Sequence, residues 1–207
     1  MAHADPAVWR ARLLVFTEAE KRALLNPDWL RKHAPEPTES LIAGYFRGLD
    51  DRDPLNRVLE AEFISQLPDQ VMAFVDRLSM AHSLEVRAPF LDHDFVALAG
   101  SIPGELKIRD GEVKYILKKL AERKLPHDAV WRPKEGFLMP VTQWLAGDLA
   151  GYLGETLAPD RLAAHGIFNA AEVDRLVGEF AAGRREHGIK LYTLLAFQVW
   201  FDSVFRA

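Results

Sequence analysis

Apolar residues recur three and four positions apart along most of the chain, the spacing of one helical face, and the interruptions carry capping chemistry. Thr17-Glu18-Ala19-Glu20 has the form of a capping box. It predicts a short helix that stops near Asn26-Pro27, ahead of a proline-rich loop from Ala34 to Pro37. Asp53-Pro54 supplies a cap and a first-turn proline to a helix whose Leu55, Val58, Leu59 and Phe63 share a face until Leu67-Pro68. Asp69 is placed to cap a third helix through Val71, Met72, Val75, Leu78 and Met80. Asp92 is placed to cap a fourth, through Phe95, Val96 and Leu98, which ends at Ile102-Pro103-Gly104. After a turn at Asp110-Gly111, Val113, Ile116, Leu117 and Leu120 form the predicted buried stripe of the next helix.

Prolines at 126, 133 and 140 punctuate a loop-rich region, and a short helix with Trp144 and Leu145 follows. Asn169 with Glu172 has the form of a second capping box, opening a helix through Val173, Leu176, Val177 and Phe180. The segment from Leu191 to Phe205 is apolar on nearly all sides and reads as a central buried helix. Strand signals are nearly absent. The pattern predicts a mainly α fold of eight to ten helices, one domain over residues 1–207, without repeats or low-complexity tracts.

Composition narrows the function more than the fold. The 207 residues carry a formal net charge of -4 with 27% charged residues, which gives no general attraction to nucleic acid or to anionic lipid. No cysteine is present, so disulfides, thiolate metal sites and a cysteine nucleophile within this chain are excluded. No apolar run approaches the length of a membrane span, and the first residues do not resemble a signal peptide, so no membrane partner and a cytoplasmic location are expected.

Three stretches hold candidate chemistry. Lys114 borders the apolar stripe of its helix, where it is either a surface lysine lying along apolar neighbours or a cation directed at phosphate oxygens. Arg132-Pro133-Lys134-Glu135-Gly136-Phe137 places Arg132 and Lys134 on a loop where Gly136 permits close backbone approach; it reads equally as an anion-closing loop or a solvated turn. Asp76, Arg77, Glu85, Arg87 and Asp92 alternate in sign in an apolar context. If buried they must pair, which makes them a structural network at a helix-to-loop turn or a set of substrate contacts. On the buried reading, truncating Glu85 costs several kcal/mol, on the order of 3–5. Asp92-His93-Asp94 fits a helix cap better than a metal site, and no spaced histidine pair supports a metal.

Taken together, the stretch from Asp76 to Asp92, Lys114-Tyr115-Ile116-Leu117, and Arg132 to Phe137 resemble the C-terminal synthetase domain of glutamine-dependent asparagine synthetases. The resemblance runs from about Trp9 to near the C-terminus, and the first stretch is the most specific. It implies a reaction in which ATP adenylates the side-chain carboxylate of aspartate and ammonia then displaces AMP. It also implies ATP and magnesium in the complete enzyme, and ammonia delivered from a glutaminase domain. The lysine matching Lys114 would face the phosphates, offsetting charge on the reacting phosphorus and departing pyrophosphate.

The sequence departs from the family pattern as well. It holds no Ser-Gly-Gly-x-Asp-Ser phosphate loop, no glycine- and acid-rich stretch for magnesium and aspartate, and no N-terminal cysteine. Phe74 stands where a basic residue commonly precedes the Val-Asp-Arg run. The expectation is therefore a helical C-terminal portion lacking the parallel sheet. It would be inactive and bind no cofactor alone, and its partners would be an upstream nucleotide-binding half and a glutaminase domain, with a homodimer as a further candidate. Two alternatives stay open: a non-catalytic helical interaction module, and part of an amide ligase or cyclase acting on another carboxylate.

Overall fold

Some helices begin where a side-chain oxygen accepts from free amide groups. In the computed structural model, which describes residues 10, 14–49, 53–133, 135–136 and 139–205, the Thr17 hydroxyl accepts from the Glu20 amide while the Glu20 carboxylate accepts from the Thr17 amide. This completes the predicted capping box of the Glu18–Leu24 helix. Asn26 caps a further helix, Pro27–His33, which the hydrophobic pattern did not single out. Asp53 caps Pro54–Ile64 and Asp92 caps His93–Ser101, both as expected. The fold is mainly α, with more and shorter helices than the periodicity predicts. The one sheet among the described residues is a hairpin pairing Ile108–Arg109 with Glu112–Val113.

Two capping expectations fail. Asp69 caps nothing, because it lies inside a π-helical segment, Leu67–Met72, that runs directly into the Ala73–Ala81 helix. Its wider turn takes up Pro68 near its start. Asn169 precedes the Ala170–Ala181 helix, but its side chain donates to the Ala23 carbonyl (3.2 Å) instead of capping. Glu172 bonds Arg175. That cap is given up for a tertiary link: the Asn169 amide also reaches the Leu24 carbonyl, and Asn26 reaches Ile167.

Backbone contacts group the chain into two compact units, Met1–Ser40 with Gly136–Ala207, and Leu41–Glu135. The first holds the hydrophobic core: Leu24, Leu145, Leu153, Leu157, Leu162, Phe168, Val173, Leu176, Phe180, Leu191, Leu194 and Leu195 pack into one buried cluster. The Gly188–Phe205 helix contributes one face to it, while Tyr192, Trp200 and Phe205 remain exposed, so this helix is buried on one side only. Gln198 is fully buried on that face. The Ile167 amide donates to Nδ1 of His165, which leaves Nε2 of that ring to donate to the Gln198 Oε1 (3.0 Å). Gln198 in turn donates to Asp202, which pairs with Arg161. This run of donors and acceptors is what makes a buried amide tolerable in an apolar core.

The Leu41–Glu135 unit is built differently. Among its described residues only Asn56, Ala61 and Gly104 are buried. Its large apolar side chains, including Phe74 (64% exposed), Leu78, Leu84, Phe90 (61%), Leu98 (62%) and Leu120, face outward. The stripe predicted to be buried after Val113 is likewise open at Ile116, Leu117 and Leu120. What holds this unit is a polar clasp. The Asp53 carboxylate accepts from Leu55, from Asn56 and, at 2.5 Å, from the Gly104 amide. The Asn56 side chain donates to the Gly100 and Ile102 carbonyls and accepts from Lys107 at 2.6 Å. The Gly104 amide foremost, with the Leu55 and Asn56 amides and the Lys107 charge, holds the Asp53 carboxyl below its ordinary pKa. A Cβ at position 104 would fall 2.6 Å from Asp53 Oδ2, so any side chain there has to displace the Asp53 carboxylate.

Candidate functional site

Lys107, at the clasp, ends the short Gly104–Lys107 helix and leads into the hairpin. Asp110 and Gly111 both take positive φ, 52° and 83°, the two-residue turn whose twist matches paired strands. The second strand ends at Val113, and Lys114 follows with φ 59° and ψ 32° as the N-cap of the Tyr115–Ala121 helix. Lys114 is thus at the mouth of its helix and not on the stripe border assigned by spacing. It is exposed, and among the described residues no ion pair or hydrogen bond engages its ammonium. A left-handed backbone costs a non-glycine residue on the order of 1 kcal/mol. Outliers of this kind concentrate where a side chain must be aimed.

Further cations surround this junction. Arg109 lies 5.3 Å from the Tyr115 ring centroid, and Lys118, one turn beyond Lys114, pairs with Glu112 across the hairpin. Lys119 bonds Glu122 (2.7 Å), which also accepts from the Trp131 indole (2.5 Å). Those bonds, Lys119 first and Trp131 second, lower the Glu122 pKa, so this carboxylate stays charged among the lysines. Trp131 closes the His127–Val130 turn and directly precedes exposed Arg132. Lys114 and Arg132 therefore leave from elements that touch at Lys118 and Trp131. Gly136 is exposed and belongs to the other unit, while Lys134 and Phe137 lie outside the described residues.

The acidic and basic residues around the signature stretch form no buried network, while Asp92 caps as expected. Glu85 and Arg87 do pair, at 2.5 Å, but at 69% and 86% side-chain exposure, so no buried network exists there. The stretch from Ala81 to Phe90 is exposed throughout. Asp76 and Arg77 are exposed on the Ala73–Ala81 helix; Asp76 uses its main-chain carbonyl to hold the Ser79 hydroxyl. Asp92 acts as a cap, accepting from the Asp94 and Phe95 amides. No cluster of three potential metal ligands occurs among the described residues. None of the described helices is long and apolar enough to cross a membrane.

Spacing missed Asn56 and Trp131, the residues that tie this unit together. The local signals were present but thin: Asn56 sits one turn after Asp53, and Lys119-x-x-Glu122 is a helical ion-pair spacing. Neither reveals a partner more than forty positions away at Gly100 and Ile102.

A mainly helical fold with a cationic hairpin-to-helix junction is the class these observations define. The sequence matches the asparagine synthase family over residues 3–202, and the chain belongs to that family. A Mycobacterium tuberculosis protein named "Putative asparagine synthetase (glutamine-hydrolyzing)" is 32% identical over 189 residues, covering 89% of this chain and 28% of that protein. Asparagine synthetase (glutamine-hydrolyzing) 1 of Bacillus subtilis is 27% identical over 90% of this chain and 28% of its own length. The Gallus gallus asparagine synthetase (glutamine-hydrolyzing) reaches 48% over 65 residues, 30% of this chain and 12% of that protein. The chain thus spans under a third of the length of the curated relatives it matches. No solved structure gives a significant match.

Proposed function

We propose that this chain is the C-terminal helical part of a glutamine-hydrolysing asparagine synthetase-type ligase, which activates the side-chain carboxylate of aspartate with ATP and amidates it with ammonia. The observation that carries the reading is Lys114, on a family-matched stretch, held left-handed at a junction ringed by Arg109, Lys118 and Lys119. Its ammonium is a compact charge suited to an α-phosphate attacked by the carboxylate, where negative charge grows on the phosphoryl oxygens and on the leaving pyrophosphate. Arg132, reached through Trp131, would add a second cation to the same phosphates.

Magnesium has no fitting donor set among the described residues, so no step of this chain is assigned to it. The phosphate loop, the aspartate contacts and the ammonia source would come from a nucleotide-binding half and a glutaminase domain. The outward apolar side chains of the Leu41–Glu135 unit support a partner of that kind, and a cytoplasmic location is consistent with it.

The test is ATP–pyrophosphate exchange with aspartate, run on the chain alone and on the chain mixed with a polypeptide bearing the Ser-Gly-Gly-x-Asp-Ser loop. We expect exchange only in the mixture, and its loss in Lys114→Ala. Turnover by the chain alone would overturn the dependence on a partner. The same exposed face supports a second reading, a non-catalytic interaction module, which is favoured by tight binding of the added half without exchange. Exchange with a different carboxylate in place of aspartate would instead identify an amide ligase or cyclase.

A further inference from the structure

Two family-matched stretches, the one that carries Lys114 and the one that begins at Arg132, are separated in sequence by a turn, a loop and the His127–Val130 helix. The Trp131 side chain reaches from one to the other. The Trp131 indole N–H donates to the Glu122 carboxylate, and its ring lies 5.1 Å from the Lys118 ammonium and 5.7 Å from that of Lys119. Tyr115, the residue after Lys114, meets the same ring edge-on at 6.3 Å. His127 packs on it from its own helix, and the Trp131 amide is tied to the His127 carbonyl. Lys118 is itself held from both ends: its ammonium pairs with Glu112 on the hairpin, and its amide donates to the Lys114 carbonyl.

We propose that Trp131 is a positioning residue that locks the start of the Arg132 loop to the helix of Lys114, so that Arg132 and Lys114 address one anionic group. The proposal rests on the synthetase reading above. Tryptophan suits the task for a physical reason. It is the aromatic side chain that offers both a strong face for cations and a donor at its edge, so two lysines and one carboxylate fix its plane and its rotation together. Phenylalanine would keep the face and lose the donor. A surface aromatic lying idle would have no reason to meet the lysine faces and the carboxylate edge at once. Glu122 pairs with Lys119 and Glu112 with Lys118, while Lys114 and Arg132 are exposed.

Two measurements test this, one independent of activity. In the chain itself, the Trp131 indole N–H resonance, identified by its loss in Trp131→Phe, should exchange slowly with deuterated water. Glu122→Ala should speed that exchange about tenfold, while Glu122→Gln, which keeps an acceptor, should change it little. Unaltered exchange in Glu122→Ala would overturn the lock. In the chain assembled with its phosphate-loop half, Trp131→Ala should lower kcat for pyrophosphate exchange by about a hundredfold, the scale of a misplaced catalytic group. KM for aspartate should be nearly unchanged, and Trp131→Phe, which keeps the face and loses the donor, should recover only part of the rate.

Wild-type kcat in Trp131→Ala, in an assembly that Lys114→Ala silences, would remove the positioning role. A loss of kcat that tracks a fall in melting temperature in both Trp131 variants would assign the residue to folding and also overturn the proposal. If the wild-type assembly shows no exchange at all, the synthetase reading fails, and the lock itself is judged on the indole measurement.

Discussion

The Met1–Ser40 and Gly136–Ala207 unit and the Leu41–Glu135 unit have similar apolar patterning and opposite fates. In the first, Leu153, Leu162, Leu176 and Leu191, from four different helices, pack into one cluster and disappear from solvent. In the second, Phe74, Leu78, Leu98 and Leu120 remain open, and the unit is held by a polar clasp of Asp53, Asn56, Gly104 and Lys107. Helical periodicity states which face of an element is apolar. What covers that face depends on which element packs over it, and periodicity does not state that.

The sharpest way to break this comparison is a matched pair of truncations. Leu191→Ala, at a fully buried position, should cost about 2–5 kcal/mol in urea unfolding. Leu98→Ala should stay within about 0.5 kcal/mol. Equal costs would mean that the second unit has a core after all. The clasp comes next. Asp53→Ala should lose about 1–2 kcal/mol as a cap, with faster hydrogen exchange at the Leu55, Asn56 and Gly104 amides. Gly104→Ala should reproduce that loss through its clash with the Asp53 carboxylate. Protection unchanged in both variants would remove the clasp as the organising contact.

A smaller effect lies in the first unit. Lys190, with the Thr17 amide, depresses the Glu20 carboxyl to about 2. A depressed carboxyl stabilises the fold fully above its unfolded pKa, near 4.5, and loses that contribution as pH falls toward 2. Glu20 is 42% exposed, so solvent screening limits the effect to about 1 kcal/mol or less. Glu20→Gln should flatten the pH dependence of stability between those values, and an unchanged slope would assign it to other carboxylates. Smallest of all, Glu85→Ala should shift the melting temperature by no more than about 2 °C, since its ion pair is exposed. A large drop would restore the buried network that the sequence suggested.

Local rules were legible in the sequence wherever a side chain acts on its own neighbourhood. Thr17, Asp53 and Asp92 cap as their spacing requires, and Asp110-Gly111 marks a turn. The strands flanking that turn escaped because two residues on each side are too few to show alternation. Asn169 and Asp69 were misassigned for a shared reason: a good capping residue is also a good tertiary partner or turn former, and only the fold decides between those uses. At the candidate site, the sequence singles out Lys114 and Arg132 as candidates but gives no sign of the left-handed backbone at Lys114 or of the tryptophan beside them. Both depend on contacts between segments, which local spacing does not encode. Glu85 and Arg87 make a buried pair only if the apolar residues around them are covered, and those residues are exposed.

The π-helical turn at Leu67–Met72 makes the signature helix a matter of phase. Each residue added to or removed from a helix rotates everything beyond it by about 100° about the axis. The widened turn thus acts as a vernier that sets the azimuth at which Phe74, Asp76 and Leu78 emerge from Ala73–Ala81. Deleting one residue there would leave the signature's composition intact and turn its outward face roughly a quarter of the way round. A surface that depends on angle can in this way be lost without changing any residue that forms it.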